Sequence, residues 1–333
     1  MTKGVSLHVG INTVSVSAFS AQRLVGCEND AVAMSNIALS RGFTQVKLLL
    51  GSEATFRNVD EEVRRAAALL KQGDTFLFTF AGHGSRIPNE INDESLTGEP
   101  DRKDEAIVLF NRLMLDDYMR RVLWPEFKEG VRIVGVLDSC HSATAIFAMP
   151  FVSADIAEHD SVATWDTELG VLTSAVGVRA VEHVTRGRSH RVSENFPRYL
   201  RDGTSEVEEE VVEVGSLGRD RALEDAARSD HGARFKPFYE ELDIPSLQNA
   251  PHVKADLLIM AACRDGEKTQ DGSPNGAFTK ALLKVWNDGA FDSNYITFMG
   301  EIRAEIRSMF PTQFPTLTLP SPPAFSSERP FTI

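Results

Sequence analysis

The chain has 333 residues, 42% of them hydrophobic and 25% charged, with a formal net charge of −13. That composition suits a soluble globular protein with room for one large α/β domain, and the acidic balance excludes a generic nucleic-acid or anionic-membrane binder. Three cysteines are too few for a disulfide scaffold, no signal-peptide core precedes the first strand-like segment and no apolar run reaches membrane-spanning length, so a cytoplasmic location is the expectation.

In chain order, residues 5–11 read as a first strand and 29–39 as a helix, with Ala31, Met34, Ile37 and Ala38 on one face. Residues 46–50 form a second strand. Asn58 and Glu61 have capping-box spacing before the helical stripe Val63, Ala66, Ala67, Leu70, which Gly73 stops. The apolar run 75–80 is a third strand. An acidic, turn-rich loop over 91–105 precedes a short strand at 106–110. Residues 116–123 look helical, and 131–137 form another apolar strand. Between 147 and 251 the periodicity is poor; residues 206–213 are almost wholly acidic and valine. Residues 256–262 restore a buried strand, 278–286 and 298–310 are helical, and a Pro-rich extended tail follows from 311.

Strands that alternate with helices, several of them continuous apolar runs, indicate a mostly parallel sheet covered on both faces. The expectation is one domain over 1–333 with a long insertion at about 147–251. Functional groups of such sheets cluster beyond the carboxyl ends of the strands. Two motifs lie there: Ala81-Gly82-His83-Gly84-Ser85 and Asp138-Ser139-Cys140-His141-Ser142. A free thiol has a pKa near 8.5, so a nucleophilic cysteine needs a base beside it, and His83 can both take the thiol proton and return one to a leaving amine. The N–H groups of Gly84 and Cys140 are candidate oxyanion donors. His141, adjacent to Cys140, is less suited as the base. The alternative for each is structural: a small core cysteine and a turn histidine.

The His83 and Cys140 motifs resemble those of caspase-like cysteine proteases, specifically the metacaspases and their prokaryotic relatives, the orthocaspases. Leu24-Val25-Gly26-Cys27-Glu28-Asn29-Asp30-Ala31, Lys103-Asp104-Glu105, Leu115-Asp116-Asp117, Ala262-Cys263-Arg264-Asp265-Gly266-Glu267 and the tail over 311–319 resemble further segments of that family, in the same order. The resemblance implies a caspase-like fold and peptide-bond hydrolysis through an acyl-enzyme, with His83 as base and Cys140 as nucleophile. It implies protein or peptide substrates with Arg or Lys before the cut, held by a pocket that includes Asp30, Asp138 and Cys27. Independently, Asp138 lies two residues before Cys140 and so projects to the same face of an extended strand. Asp30 can also be read as an acidic residue favoured in the first turn of a helix.

The resemblance further implies a calcium site at Asp104, Asp116 and Asp117, and activation by calcium or by cleavage in the insertion. Calcium takes several oxygen ligands in flexible geometry; the alternative is a solvated acidic loop. No carboxylate follows Cys140 until Asp155, Ala81 stands where many relatives carry a pocket serine, and Ala143 stands where many carry glycine. Arg179, Arg186, Arg188, Arg191, Arg198 and Arg201 are candidate autoprocessing sites or ordinary surface arginines. No organic cofactor is expected. A caspase-like signalling or scaffold module with little turnover is the alternative to an enzyme, and an acidic pocket speaks against cleavage after Asp.

Overall fold

The computed structural model describes residues 2–15, 21–88, 103–140, 164–166, 171–173, 220–221, 242, 244–246, 249–264, 267–319 and 324–333. Five parallel strands make the centre of the main sheet: β1 (Gly4–Gly10), β2 (Gln45–Leu50), β3 (Thr75–Ala81), β7 (Arg132–Asp138) and β10 (Asp256–Ala261), in the spatial order β2-β1-β3-β7-β10. β11 (Thr316–Thr318) pairs antiparallel with β10. β9 (Val171–Thr173) and β8 (Thr164–Asp166) extend that edge.

The inner strands β1, β3, β7 and β10 are buried and largely apolar because both faces are covered. Phe76, Phe78 and Phe80 of β3 point to one face, against Trp124, Phe127 and the helix α2 (Phe56–Leu69). Leu77 points to the other, with Val134, Val136, Leu258 and Met260. There they meet α1 (Cys27–Ser40), α4 (Ala277–Trp286) and α5 (Tyr295–Met309). The period-two alternation thus divides a single strand between two cores.

Three details differ from the sequence expectation. α2 begins three residues earlier than its expected capping box: the Thr55 hydroxyl accepts from the Asn58 N–H at 3.2 Å, and Asn58 itself donates to the Glu53 carbonyl. Thr55 wins because its hydroxyl reaches the third amide of the helix, the geometry a cap requires. A second sheet, β4 (Gly84–Pro88), β5 (Lys103–Val108) and β6 (Leu113–Leu115), replaces the single strand expected at 106–110. β4 carries too little apolar alternation, and β6 is too short, for either to register as a pattern. A helical stretch opens as α3 (Asp116–Tyr118) and continues as a π-helical turn over Met119–Leu123. Apart from β8, β9 and a few residues up to 250, the insertion lies outside the described residues, and so do His141, Ala143, Asp155 and the six arginines from 179 to 201.

The register that matters for function is Ala81 opposite Asp138. Parallel pairing carries β3 and β7 out of the same edge side by side. His83 follows two residues after the end of β3, and Cys140 two after the end of β7.

Candidate active site

His83 and Cys140 are both buried. The close approach of the two chains is set by Gly84: a Cβ there would lie 1.6 Å from the Cys140 carbonyl oxygen. Only glycine lets the backbone after His83 run this near the nucleophile segment. The His83 Nε2 lies 2.7 Å from the carbonyl oxygen of Gln22. A carbonyl only accepts, so Nε2 carries the proton and Nδ1 is the basic nitrogen of the neutral ring. Nδ1 makes no hydrogen bond among the described residues. Burial pushes the His83 pKa down, the Gln22 and Arg221 backbone carbonyls oppose this, and the Arg221 charge reinforces it. The Cys140 Sγ accepts from the Thr269 N–H at 3.2 Å.

Beside this pair lies an acidic pocket with a guanidinium in it. Arg221 is fully buried, and its Nη2 lies 2.7 Å from Asp30 and 3.2 Å from Asp271. Its Nη1 lies 2.9 Å from the Asp138 carboxylate and 2.7 Å from the Asp138 carbonyl. Each carboxylate has further donors, which is what makes buried charge tolerable. Asp30 accepts from Asn275 Nδ2 and the Gly276 N–H, Asp138 from the N–H and hydroxyl of Thr279, and Asp271 from the N–H groups of Val25 and Gly26. The pocket is therefore assembled from the start of α1, the end of β7, the loop after β10 and the start of α4. Burial pushes the Asp30 carboxyl up to about 6, with Asp138 adding to the rise and Arg221 opposing it. Cys27 is buried in the same charge field, and burial pushes its thiol well up.

Gly276 is the second glycine that the site demands. A Cβ at that position would sit 2.2 Å from the Arg221 Nη2.

The backbone of Arg221 is held as firmly as its side chain. Its N–H donates to the Thr269 carbonyl at 3.2 Å, and its carbonyl accepts from the Gly84 N–H at 2.8 Å. Asp220 makes an antiparallel bridge with Gln270. A short extended segment of the insertion thus adds to the edge formed by 269–270, in the manner of a bound peptide.

The structure brings Asp30 and Asp138 together around Arg221; Asp271, Thr269, Asn275, Gly276, Thr279, Gln22 and Arg221 are not among the sequence candidates. The turn-rich run Asp271-Gly272-Ser273-Pro274-Asn275-Gly276, just past a buried strand, is the available signal for three of them, Asp271, Asn275 and Gly276. Arg221 had none, since the insertion shows no periodicity around it.

Of the expected calcium ligands, the side chains of Asp116 and Asp117 are described. Asp117 is ion-paired through one oxygen to Arg120 and through the other to Arg121, at 2.8 Å for the latter, with all three residues buried. Arg121 also donates to the Pro245 carbonyl. Asp116 is buried beside them, and the Asp104 side chain lies outside the described residues. The described side chains do not fit a calcium ion, because two guanidinium groups already occupy the Asp117 oxygens. Among the described residues no three His, Cys, Asp or Glu side chains are grouped to hold a metal.

A sheet that brings a histidine and a cysteine to one edge, beside a charged pocket, defines a caspase-like cysteine peptidase site. The caspase-domain family model matches residues 3–324, so the chain belongs to that family and is a cysteine-type peptidase of metacaspase-like kind. It is similar to metacaspase-9 of Arabidopsis thaliana, 26% identical over 83% of each chain. It is also similar to metacaspase-1 of Schizosaccharomyces pombe, 22% identical over 95% of this chain and 67% of that one. A crystal structure of a Geobacter sulfurreducens protein superposes with a TM-score of 0.68 at 28% identity, covering 99% of both chains. No described helix is long and apolar enough to cross a membrane.

Proposed function

We propose that this peptidase cleaves polypeptides after arginine, and less well after lysine, through a Cys140–His83 dyad. Arg221 carries the reading. Its guanidinium is gripped by three carboxylates while its carbonyl accepts from the amide of Gly84, which is what a substrate residue at the cut would do. The planar fork of arginine fills both sides of this cage, whereas a lysine ammonium is a point charge that reaches fewer of the oxygens.

In the mechanism the Cys140 sulfur attacks the carbonyl carbon of the bound arginine, and the thiol proton passes to His83 Nδ1. The Gly84 and Cys140 N–H groups stabilise the oxyanion. His83 then protonates the leaving amine and an acyl-enzyme remains. Water, deprotonated by His83, releases the new carboxylate and restores the thiol. The Gln22 carbonyl fixes the ring so that Nδ1 stays the basic nitrogen.

Because Arg221 belongs to the chain itself, the pocket is occupied until the Arg221–Ala222 bond is cut and the segment withdraws. That bond, not the six arginines upstream, is the activating site in this reading. The test is a set of peptides that differ only in the residue before the cut. Full-length protein should cut Arg peptides best, Lys peptides more slowly and Asp peptides not at all, and Cys140→Ala should cut none. Cleavage after Asp, or cleavage that survives Cys140→Ala, would overturn the proposal.

A further inference from the structure

We propose that Lys268 forms a second specificity subsite, which selects an acidic residue immediately before the arginine at the cut. The inference rests on the reading of Arg221 as a substrate-like residue and adds a second recognised position to it. In an extended segment neighbouring side chains point to opposite faces. Arg221 points into the pocket, on the side where the Thr269 hydroxyl meets Asp138. Asp220 therefore faces the other way, on the side of residues 268 and 270, and it is paired with Gln270 across the antiparallel bridge. Its carboxylate lies 2.7 Å from the Lys268 Nζ. The hydrogen bond and charge of Asp220 push the Lys268 pKa up.

Any substrate whose arginine enters the pocket, and whose backbone repeats the Thr269 and Gln270 pairing, places its preceding side chain over the same ammonium. An Asp or Glu there gains an ion pair; a Lys or Arg there meets a like charge. The Lys268 side chain is 58% exposed, so the pair is screened and modest in strength. Exposed pairs of this kind correspond to about a two- to fivefold preference, which high salt should erase. The preferred sequence is thus an acidic residue followed by arginine.

The test compares kcat/KM for matched peptides with Asp, Asn or Lys before the arginine, cut by full-length protein, Lys268→Gln and Lys268→Glu. The Asp-to-Asn ratio cancels any effect of Lys268 on the chemistry common to both peptides. The expected ratio is about two to five in the unmodified protein, near one in Lys268→Gln, and below one in Lys268→Glu, which should favour the Lys peptide. An unchanged ratio in Lys268→Gln, or no preference in the unmodified protein, would overturn the subsite while leaving arginine specificity intact. If no arginine peptide is cut, the functional reading fails on its own, and the subsite is tested in Cys140→Ala by trypsin clipping after Arg221, whose side chain is buried. Clipping there requires local opening, so its rate reports that equilibrium. Asp220→Asn and Lys268→Gln should each raise it about two- to fivefold, and the double variant no further than either. Independent, multiplying effects would contradict the pairing.

Discussion

The carbonyl oxygen of Arg221 accepts a hydrogen bond from the backbone N–H of Gly84 at 2.8 Å. The same arginine buries its guanidinium among Asp30, Asp138 and Asp271. In the proposed mechanism one residue thus engages both halves of the site, the pocket that would select and the amide that would polarise. The Gly84 amide can stand there because the backbone after His83 passes so near Cys140 that no side chain fits.

Gly276→Ala should impair recognition of arginine more than that of lysine. The new methyl would sit 2.2 Å from the Nη2 position, forcing the guanidinium off its carboxylates. A displacement of this size costs about tenfold or more in kcat/KM on arginine peptides. The thinner lysine end loses less, so the Arg-to-Lys ratio of kcat/KM falls. An unaltered ratio would show that Gly276 does not bound the pocket.

Asp30 makes the pocket pH-sensitive. With Arg221 in place, burial pushes its carboxyl up to about 6, and the guanidinium opposes the rise. Peptides enter a pocket that Arg221 has left, and the ionised carboxylate attracts their guanidinium most strongly, so kcat/KM for arginine peptides should fall as pH drops through the Asp30 titration. Asp30→Asn removes one charge-assisted contact, worth about 1.5–3 kcal/mol, or roughly 10- to 100-fold in kcat/KM at neutral pH. In that variant the Asp30 step should vanish. The acid limb that remains belongs to His83, whose pKa burial holds below the ordinary histidine value. A pH profile identical to that of the unmodified protein would refute the assignment.

Calcium should not be required. Arg120 and Arg121 supply the positive charge that a cation would bring to Asp117. Self-cleavage and peptide hydrolysis should proceed at the same rate with calcium or with chelator, and the melting temperature should not rise on adding calcium. A calcium-dependent rate would mean that the ion binds through residues other than these.

The parallel sheet is legible because its inner strands are buried on both faces and read as largely apolar runs. The two motifs were legible because chemistry at a sheet edge needs glycine and small residues around it. Asp138 followed from its two-residue offset from Cys140. The pairing of Asp117 with Arg120 and Arg121 was also readable, since i,i+3 and i,i+4 neighbours meet on one helical face. Arg221 was not readable: nothing local marks one arginine among many, and only tertiary contacts with segments 191 and 83 residues away place it. Asp271 went unread for a related reason, since its role is set by a turn that folds back onto the start of α1.

The most direct test of the account is the intact mass of the full-length protein incubated without added substrate. Two fragments are expected, one ending at Arg221 and one beginning at Ala222, with neither in Cys140→Ala and no cut at that bond in Arg221→Gln. An unmodified protein that stays whole, or is cut there equally well without Cys140, would contradict it.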